Sequence, residues 1–211
     1  MVGIVVDTVL HAGLGPVVVV TPPDSAGIRA ALGDSVLYAE QAEPRGTGHA
    51  AMQARDHLGH EGAVVVLASD VPLIEPNTLE MLVHAHSADG ATLTVLTSEL
   101  TDPKGLGRIV RSDDGRVAAI VEESVADPET LEIREVNAGA YCVDAAWLWD
   151  SLPKLRESPM GEIFLTDLVA LAGSDGYTVE SVQTTDGNEA LGVNDLVELA
   201  RVQDVMQRRI R

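Results

Sequence analysis

The sequence predicts an α/β domain built on a mixed, mostly parallel sheet with helices on both faces. Two observations carry that prediction. Strand-like runs alternate with helix-like runs along the first hundred residues. The runs "PVVVV" and "AVVVL" are apolar at every position, as in strands covered on both sides.

Each element can be justified in turn. "IVVDTVLHAG" (4–13) reads as a helix ending at Gly13, and "GPVVVVT" (15–21) as a buried strand bounded by Gly and Pro. "SAGIRAALG" (25–33) reads as a helix with Ser25 as its cap, "SVLYAEQ" (35–41) as a strand and "GHAAMQARDHLG" (48–59) as a helix. "GAVVVLASD" (62–70) is a second continuous apolar strand. "EPNTLEMLVHAHSADG" (75–90) is a helix with Pro near its start, and "ATLTVLTSEL" (91–100) a strand.

The second half is organised differently. "GRIVRSDDGRVAAIVEES" (107–124) reads as a hairpin turned at Asp114-Gly115. "REVNAGAYCVD" (134–144) is a strand, "AAWLWDSLPKL" (145–155) and "FLTDLVALAGSDG" (164–176) are helices, and "YTVESVQT" (177–184) is a strand. A closing helix, "NDLVELARVQDVMQRRI" (194–210), places Leu196, Leu199, Val202 and Met206 on one side. No linker or internal repeat interrupts the chain, so residues 1–211 read as one domain.

Composition narrows the function. A chain of 211 residues with 45% hydrophobic and 22% charged residues reads as a globular protein. Its net charge of −19 argues against nucleic-acid binding, because phosphate backbones demand Lys and Arg. A small anionic ligand held by backbone amides and a divalent cation remains compatible with that charge. The apolar runs are too short to span a membrane, and no signal peptide opens the sequence, so a cytoplasmic location is expected. The lone Cys142 lies in an apolar strand and reads as a buried structural thiol. The six His form no zinc-ligand pattern.

Ligands of open α/β sheets bind beyond the carboxyl ends of the strands. Two motifs fall there. In "QAEPRGTGHA" (41–50), Gly46-Thr47-Gly48 either turns the chain and caps a helix or lets backbone approach a ligand. On that stretch alone the local role is favoured. In "LASDVPLI" (67–74), Asp70 either caps a turn or offers a carboxylate to a hard cation such as Mg²⁺. "GLGRIV" (105–110) brings Gly107 to a turn or a ligand, and "IVEES" (120–124) puts Glu122 at a strand end. Asn137 is a polar residue in an apolar strand and needs partners. Asn194 precedes the last helix, where capping is its ordinary role.

Taken in order, "QAEPRGTGHA", "SDVPLI", "GLGRIVR", "IVEES", "REVNAGAYC", "FLTDLVALA" and "GVNDLVELA" resemble the uridylyltransferase domain of the bacterial N-acetylglucosamine-1-phosphate uridyltransferases, bifunctional enzymes that make UDP-N-acetylglucosamine. The resemblance runs from the first helix to the C-terminus. It implies a Rossmann-like nucleotide-diphospho-sugar transferase fold and transfer of UMP from UTP to N-acetylglucosamine-1-phosphate. By that resemblance Gln41, Gly46 and Thr47 recognise the uracil, and Gly107, Glu122 and Asn137 hold the sugar phosphate. Asp70 and Asn194 would be the catalytic Mg²⁺ ligands, and Glu162 and Thr166 would lie near the acetamido group.

The chain also departs from the family. Ser69 stands where the family has Gly before the metal Asp, and Glu123-Ser124-Val125 replaces a more polar or basic continuation. The family's opening strand and Gly-rich, Lys-bearing loop have no counterpart here, and neither do the hexapeptide repeats of its C-terminal domain. The chain has only two lysines, Lys104 and Lys154. The expectation is therefore an N-terminally truncated, monomeric domain of low turnover. The competing readings are a related nucleotidyltransferase for another sugar or nucleotide, and an inactive sugar-nucleotide-binding remnant.

Overall fold

The computed structural model describes residues 1–210. Its elements follow in the order α1 (Val2–His11), β1 (Val18–Thr21), α2 (Ala26–Leu32), β2 (Leu37–Glu40), α3 (Thr47–Gln53), β3 (Ala63–Leu67), α4 (Pro76–Asp89) and β4 (Leu93–Glu99). There follow β5 (Arg108–Arg111), β6 (Val117–Val121), α5 (Pro128–Leu131), β7 (Glu135–Asp144), α6 (Ala145–Ser151), α7 (Asp167–Ser174), β8 (Val179–Gln183) and α8 (Leu196–Ile210).

The long strand β7 organises the sheet. Its second half lies between β3 and β4, antiparallel to both. Its first half pairs with β4 and, at Val136, with β5 of the β5–β6 hairpin. Parallel pairing of β4 with β8 completes this six-stranded sheet. In it β3, β4, β5 and β8 run one way and β6 and β7 the other. The parallel pair β1–β2 forms a separate two-stranded sheet.

The period-two alternation of β7 separates two cores. Val136, Ala138, Ala140 and Cys142 pack with Leu79 and Leu82 of α4 and Leu96 of β4. Tyr141 and Val143 face the opposite way and pack with Leu148 and Trp149 of α6 and Leu168 of α7. Helices therefore cover both faces of the sheet. Cys142 is fully buried, and burial pushes its thiol up to about 12, as befits a structural thiol.

Several local expectations shift. Ser25 sits at the start of α2, but its hydroxyl accepts from Arg29 Nε (3.2 Å) instead of capping the helix. The helix of residues 48–59 stops at Gln53 and continues as a 3₁₀ turn, Arg55–His57. The helix of residues 145–155 ends at Ser151, and a 3₁₀ turn carries Pro153. In α8, Val202, Val205 and Met206 pack against Leu73, Leu191 and Val193. Leu196 and Leu199 are instead 82% and 40% exposed, because the first turns of α8 project beyond the core. The apolar strand β3 is only half-buried, since its free edge borders a large cavity.

Candidate functional site

The turn between β2 and α3 is built by close backbone approach. Gly46 has φ +94°, and a Cβ there would lie 2.6 Å from the Ile163 carbonyl oxygen. Ile163 N–H donates to Arg45 C=O (2.8 Å), and Gly48 N–H donates to Ile163 C=O (2.8 Å). Gly46 is the N-cap of α3, and Thr47 is its first residue. The Thr47 hydroxyl accepts from Leu165 N–H (2.9 Å) rather than capping its own helix. The segment 163–165 thus braces the Gly-Thr-Gly turn from outside.

Gln41 is oriented by its neighbours. Its Nε2 donates to Gly46 C=O (3.1 Å) and meets His49 Nδ1 (2.9 Å). That leaves Oε1 as an acceptor facing away from both partners. Gln41, Gly46, Thr47, Glu162 and Phe164 line a cavity of about 320 Å³. The second face of the site is the larger cavity, of about 610 Å³, whose polar end is lined by Thr47, Ser69, Glu122, Asn137 and Thr166. The two cavities share Thr47 and Ala50.

Glu122, at the end of β6, accepts from the buried Thr166 hydroxyl (2.9 Å). Burial raises its carboxyl above the ordinary value; the Thr166 hydrogen bond opposes the shift, and Asp167 and Glu162 reinforce it. A Cβ on Gly107 would lie 2.9 Å from Ile120 Cγ2 and 3.4 Å from Glu122 Oε2, so Gly107 leaves room for that carboxylate. Asn137 is locked on both ends. Its Nδ2 donates to Tyr141 Oη (2.6 Å), its Oδ1 accepts from Gly139 N–H (3.0 Å), and its own N–H donates to Gly107 C=O (2.9 Å). Burial, reinforced by Glu122, pushes the Tyr141 phenol up. Glu123, the departure noted above, accepts from Gly105 N–H (2.6 Å) and pairs with the buried Arg108 (3.1 Å), closing the Gly105–Gly107 loop.

Asp70 and Asn194 come together across Gly192. A Cβ there would lie 3.5 Å from Asp70 Oδ2 and 3.7 Å from Asn194 Nδ2, and Val193 N–H donates to Asp70 C=O (3.0 Å). Asn194 does not cap α8. Asp195 does, its Oδ1 accepting from Val197 and Glu198 N–H (both 2.8 Å). Ala68 N–H donates to Gly139 C=O (2.8 Å), joining the Asp70 loop to the Asn137 turn.

Gln41, Gly46 and Thr47 line one cavity, Thr47, Glu122, Asn137 and Thr166 line the other, and Asp70 and Asn194 line neither, although the Asp70 loop is joined to the Asn137 turn. Thr166 is bonded to Glu122, and Glu162 lies on the Gln41 side. Sequence reasoning missed His49, Tyr141 and Ile163, which orient Gln41, Asn137 and Gly46. The position of Tyr141, four residues along the strand from Asn137 and so on the same face, was a usable signal. His49 and Ile163 left none, since both act through the fold.

The strand ends of this α/β domain thus gather amide, hydroxyl and carboxylate groups around two adjoining cavities, where open α/β sheets bind ligands. The nucleotidyl transferase family matches residues 1–192, and the chain belongs to that family. It is 44% identical over 190 residues to the bifunctional protein GlmU of Corynebacterium diphtheriae, covering 89% of this chain and 39% of that protein. It is 41% identical over 212 residues to GlmU of Halalkalibacterium halodurans, covering 100% of this chain and 47% of that one. The chain thus spans less than half the length of these relatives. Two solved structures share the fold. A UDP-glucose pyrophosphorylase complexed with UDP-glucose superposes with TM-score 0.76 at 14% identity, over 99% of this chain and 86% of that one. A putative glucose-1-phosphate thymidylyltransferase from Bacillus anthracis gives TM-score 0.76 at 16% identity, over 97% and 81%.

Proposed function

We propose that this chain carries the site of a sugar-phosphate uridylyltransferase, joining UMP from UTP to N-acetylglucosamine-1-phosphate. A phosphate oxygen of the sugar phosphate attacks the α-phosphorus of UTP, its bond to the β-phosphate breaks, and UDP-N-acetylglucosamine and pyrophosphate result. The relatives' 41–44% identity and the gathering of Gln41, Gly46, Thr47, Glu122, Asn137 and Thr166 around two adjoining cavities support this reading. The observation that carries it is the Gln41 amide, held by Gly46 C=O and His49 with its oxygen free. That oxygen can accept the N3–H of uracil and has no donor to meet at N3 of cytosine.

On this reading the Gly46–Thr47 turn seats the base. Glu122 and Asn137 hold the hydroxyl and acetamido groups of the sugar, with Gly107 keeping the floor open and Thr166 fixing Glu122. Such chemistry relies on positioning and charge neutralisation. The Asp70 carboxylate and the Asn194 side chain both lie beside Gly192; Asp70 Oδ2, with the Asn194 amide turned to present its oxygen, would suit Mg²⁺ completed by phosphate oxygens and water. Among the described residues no group of three or more His, Cys, Asp or Glu is placed to hold a metal ion by itself. Bound there, Mg²⁺ would offset the negative charge of the phosphates. A cytoplasmic setting suits such substrates, and a monomer is the proposed state.

The experiment is calorimetric titration of the chain with UDP-N-acetylglucosamine, UDP-glucose and CDP-glucose in Mg²⁺, alongside pyrophosphate release from UTP with N-acetylglucosamine-1-phosphate. The reading requires tightest binding of UDP-N-acetylglucosamine and pyrophosphate release that depends on N-acetylglucosamine-1-phosphate. Equal affinity for all three would contradict it, and so would a preference for UDP-glucose.

A further inference from the structure

Asp70 and Asn194 sit on two loops, one between β3 and α4 and one between β8 and α8. Neither residue is held by a sheet ladder, so their separation depends on what ties one loop to the other. One backbone bond does so beside the pair itself, from Val193 N–H to Asp70 C=O (3.0 Å). Leu73 packs with Leu191 and Val193 behind it.

Two side chains outside the candidate site add ties further back. Glu189, on the 3₁₀ turn Gly187–Ala190 of the Asn194 loop, is 2% exposed. Its Oε2 accepts from Glu75 N–H (3.0 Å), with the Thr78 hydroxyl as a second partner. The N-cap residue of α4, Glu75, makes no side-chain cap of its own, so Glu189 caps the helix from 114 residues away. Burying a carboxylate is costly, and burial pushes this one above its ordinary range. A Ser, Thr, Asp or Asn at position 75 would cap α4 without that cost. Capping alone therefore does not account for a buried Glu that reaches across from the other loop.

Arg209, near the end of α8, bridges the same two loops. Its Nη1 donates to Leu73 C=O (2.7 Å) and lies 3.4 Å from Glu75 Oε1, while its Nη2 donates to Asp186 Oδ2 (2.8 Å). Asp186 in turn caps the 3₁₀ turn that carries Glu189, accepting from Asn188 N–H (3.0 Å). One guanidinium thus holds the Asp70 loop with one nitrogen and the Asn194 loop with the other. Its planar fork is rigid, so it fixes the spacing of the two loops as well as balancing charge. The Glu189 tie is placed symmetrically: Glu189 lies five residues before Asn194, and Glu75 five residues after Asp70.

We propose that Glu189 and Arg209 are positioning residues, which hold the Asp70 loop against the Asn194 loop at the separation that one divalent cation requires. The inference rests on the reading of Asp70 and Asn194 as the cation's ligands, and it gives neither Glu189 nor Arg209 a contact with the ion. Mg²⁺ demands near-octahedral geometry, so two protein ligands serve it only if their spacing is set in advance. Groups that orient metal ligands typically contribute about 10–100-fold to metal affinity.

The test titrates Mn²⁺, a spectroscopic stand-in for Mg²⁺, into the chain saturated with UDP-N-acetylglucosamine, and follows amide exchange at Val193. Glu189→Ala and Arg209→Ala should each weaken Mn²⁺ binding about tenfold or more and speed exchange at Val193. Glu189→Gln keeps an oxygen for Glu75 N–H and an amide for Thr78, and should restore Mn²⁺ binding to within about threefold of the parent. Val36→Ala, a truncation in the small core of Val6, Val19 and Val36, should lower the melting temperature and leave Mn²⁺ binding alone. Unchanged Mn²⁺ affinity in both Ala variants, where Asp70→Ala loses it, would overturn the inference and leave the cation reading standing. Equal weakening by Val36→Ala would also overturn it, since general loosening would then explain the loss. If Asp70→Ala binds Mn²⁺ as the parent does, the cation reading fails and the inference falls with it.

Discussion

The Thr166 hydroxyl donates to Glu122 Oε1 across 2.9 Å, tying the start of α7 to the end of β6. The bond favours the ionised carboxylate in a place where burial disfavours it.

Replacing Thr166 with Val removes that donor while nearly keeping the volume. The carboxylate loses a partner in a half-buried site, and the expected cost is about 1–3 kcal/mol at neutral pH. Because the lost bond acts on the charged form, the cost should shrink as pH falls and Glu122 takes up a proton. Denaturant melts of both proteins between pH 4 and 8 check this, and a pH-independent difference would contradict it.

Glu122→Gln probes the same group from the other side. The folded carboxyl titrates above its ordinary value of 4.5, so its favourable contribution is complete below the unfolded value and is lost as pH rises through the folded one. At pH 7 the Gln variant should therefore melt higher than the parent, and the gain should vanish on acidification. Affinity for UDP-N-acetylglucosamine should fall roughly tenfold or more, as expected for losing hydrogen bonds to a charged acceptor. A variant that gains stability without losing affinity would remove Glu122 from the sugar site.

Gly46→Ala tests the braced turn. Its φ of +94° and the 2.6 Å approach to Ile163 C=O leave no room for a methyl group. Strain of about 1–3 kcal/mol is expected, with weakened uridine-nucleotide binding as the turn shifts. Thermal denaturation with and without UDP reads both effects. Gly115→Ala, at φ +83° in the β5–β6 hairpin with nothing within 4 Å of its Cβ, is the control that should strain the backbone and leave binding alone.

Gln41→Ala should reduce discrimination between uridine and cytidine nucleotides to near unity, since it removes the acceptor that distinguishes their N3 positions. Competition titrations with UTP and CTP measure it. Undiminished discrimination would move base recognition elsewhere on the turn.

The α/β class and nearly all the elements were legible because apolar periodicity and turn residues agree in this chain. Asp114-Gly115 turned its hairpin as read, with Gly115 at φ +83°. Element ends were less legible. Thr47 was read as a cap, yet its hydroxyl is used by Leu165, which lies 118 residues away in sequence. Leu196 and Leu199 fit the helical stripe of α8, but no core extends far enough to meet them. The candidate residues were found through family motifs, whereas two of their supports, His49 and Ile163, emerge only once the chain is folded. The insertion of antiparallel β7 between β3 and β4 could not be read either, because pairing partners leave no local trace.

The most direct test is a crystal structure of the chain with UDP-N-acetylglucosamine and Mg²⁺. The account predicts the uracil edge against Gln41 Oε1 and the Gly46–Thr47 turn, the sugar against Glu122 and Asn137, and the diphosphate between them on the side of Asp70 and Asn194. A nucleotide seated away from these residues, or bound with its base at Glu122 and Asn137, would contradict it.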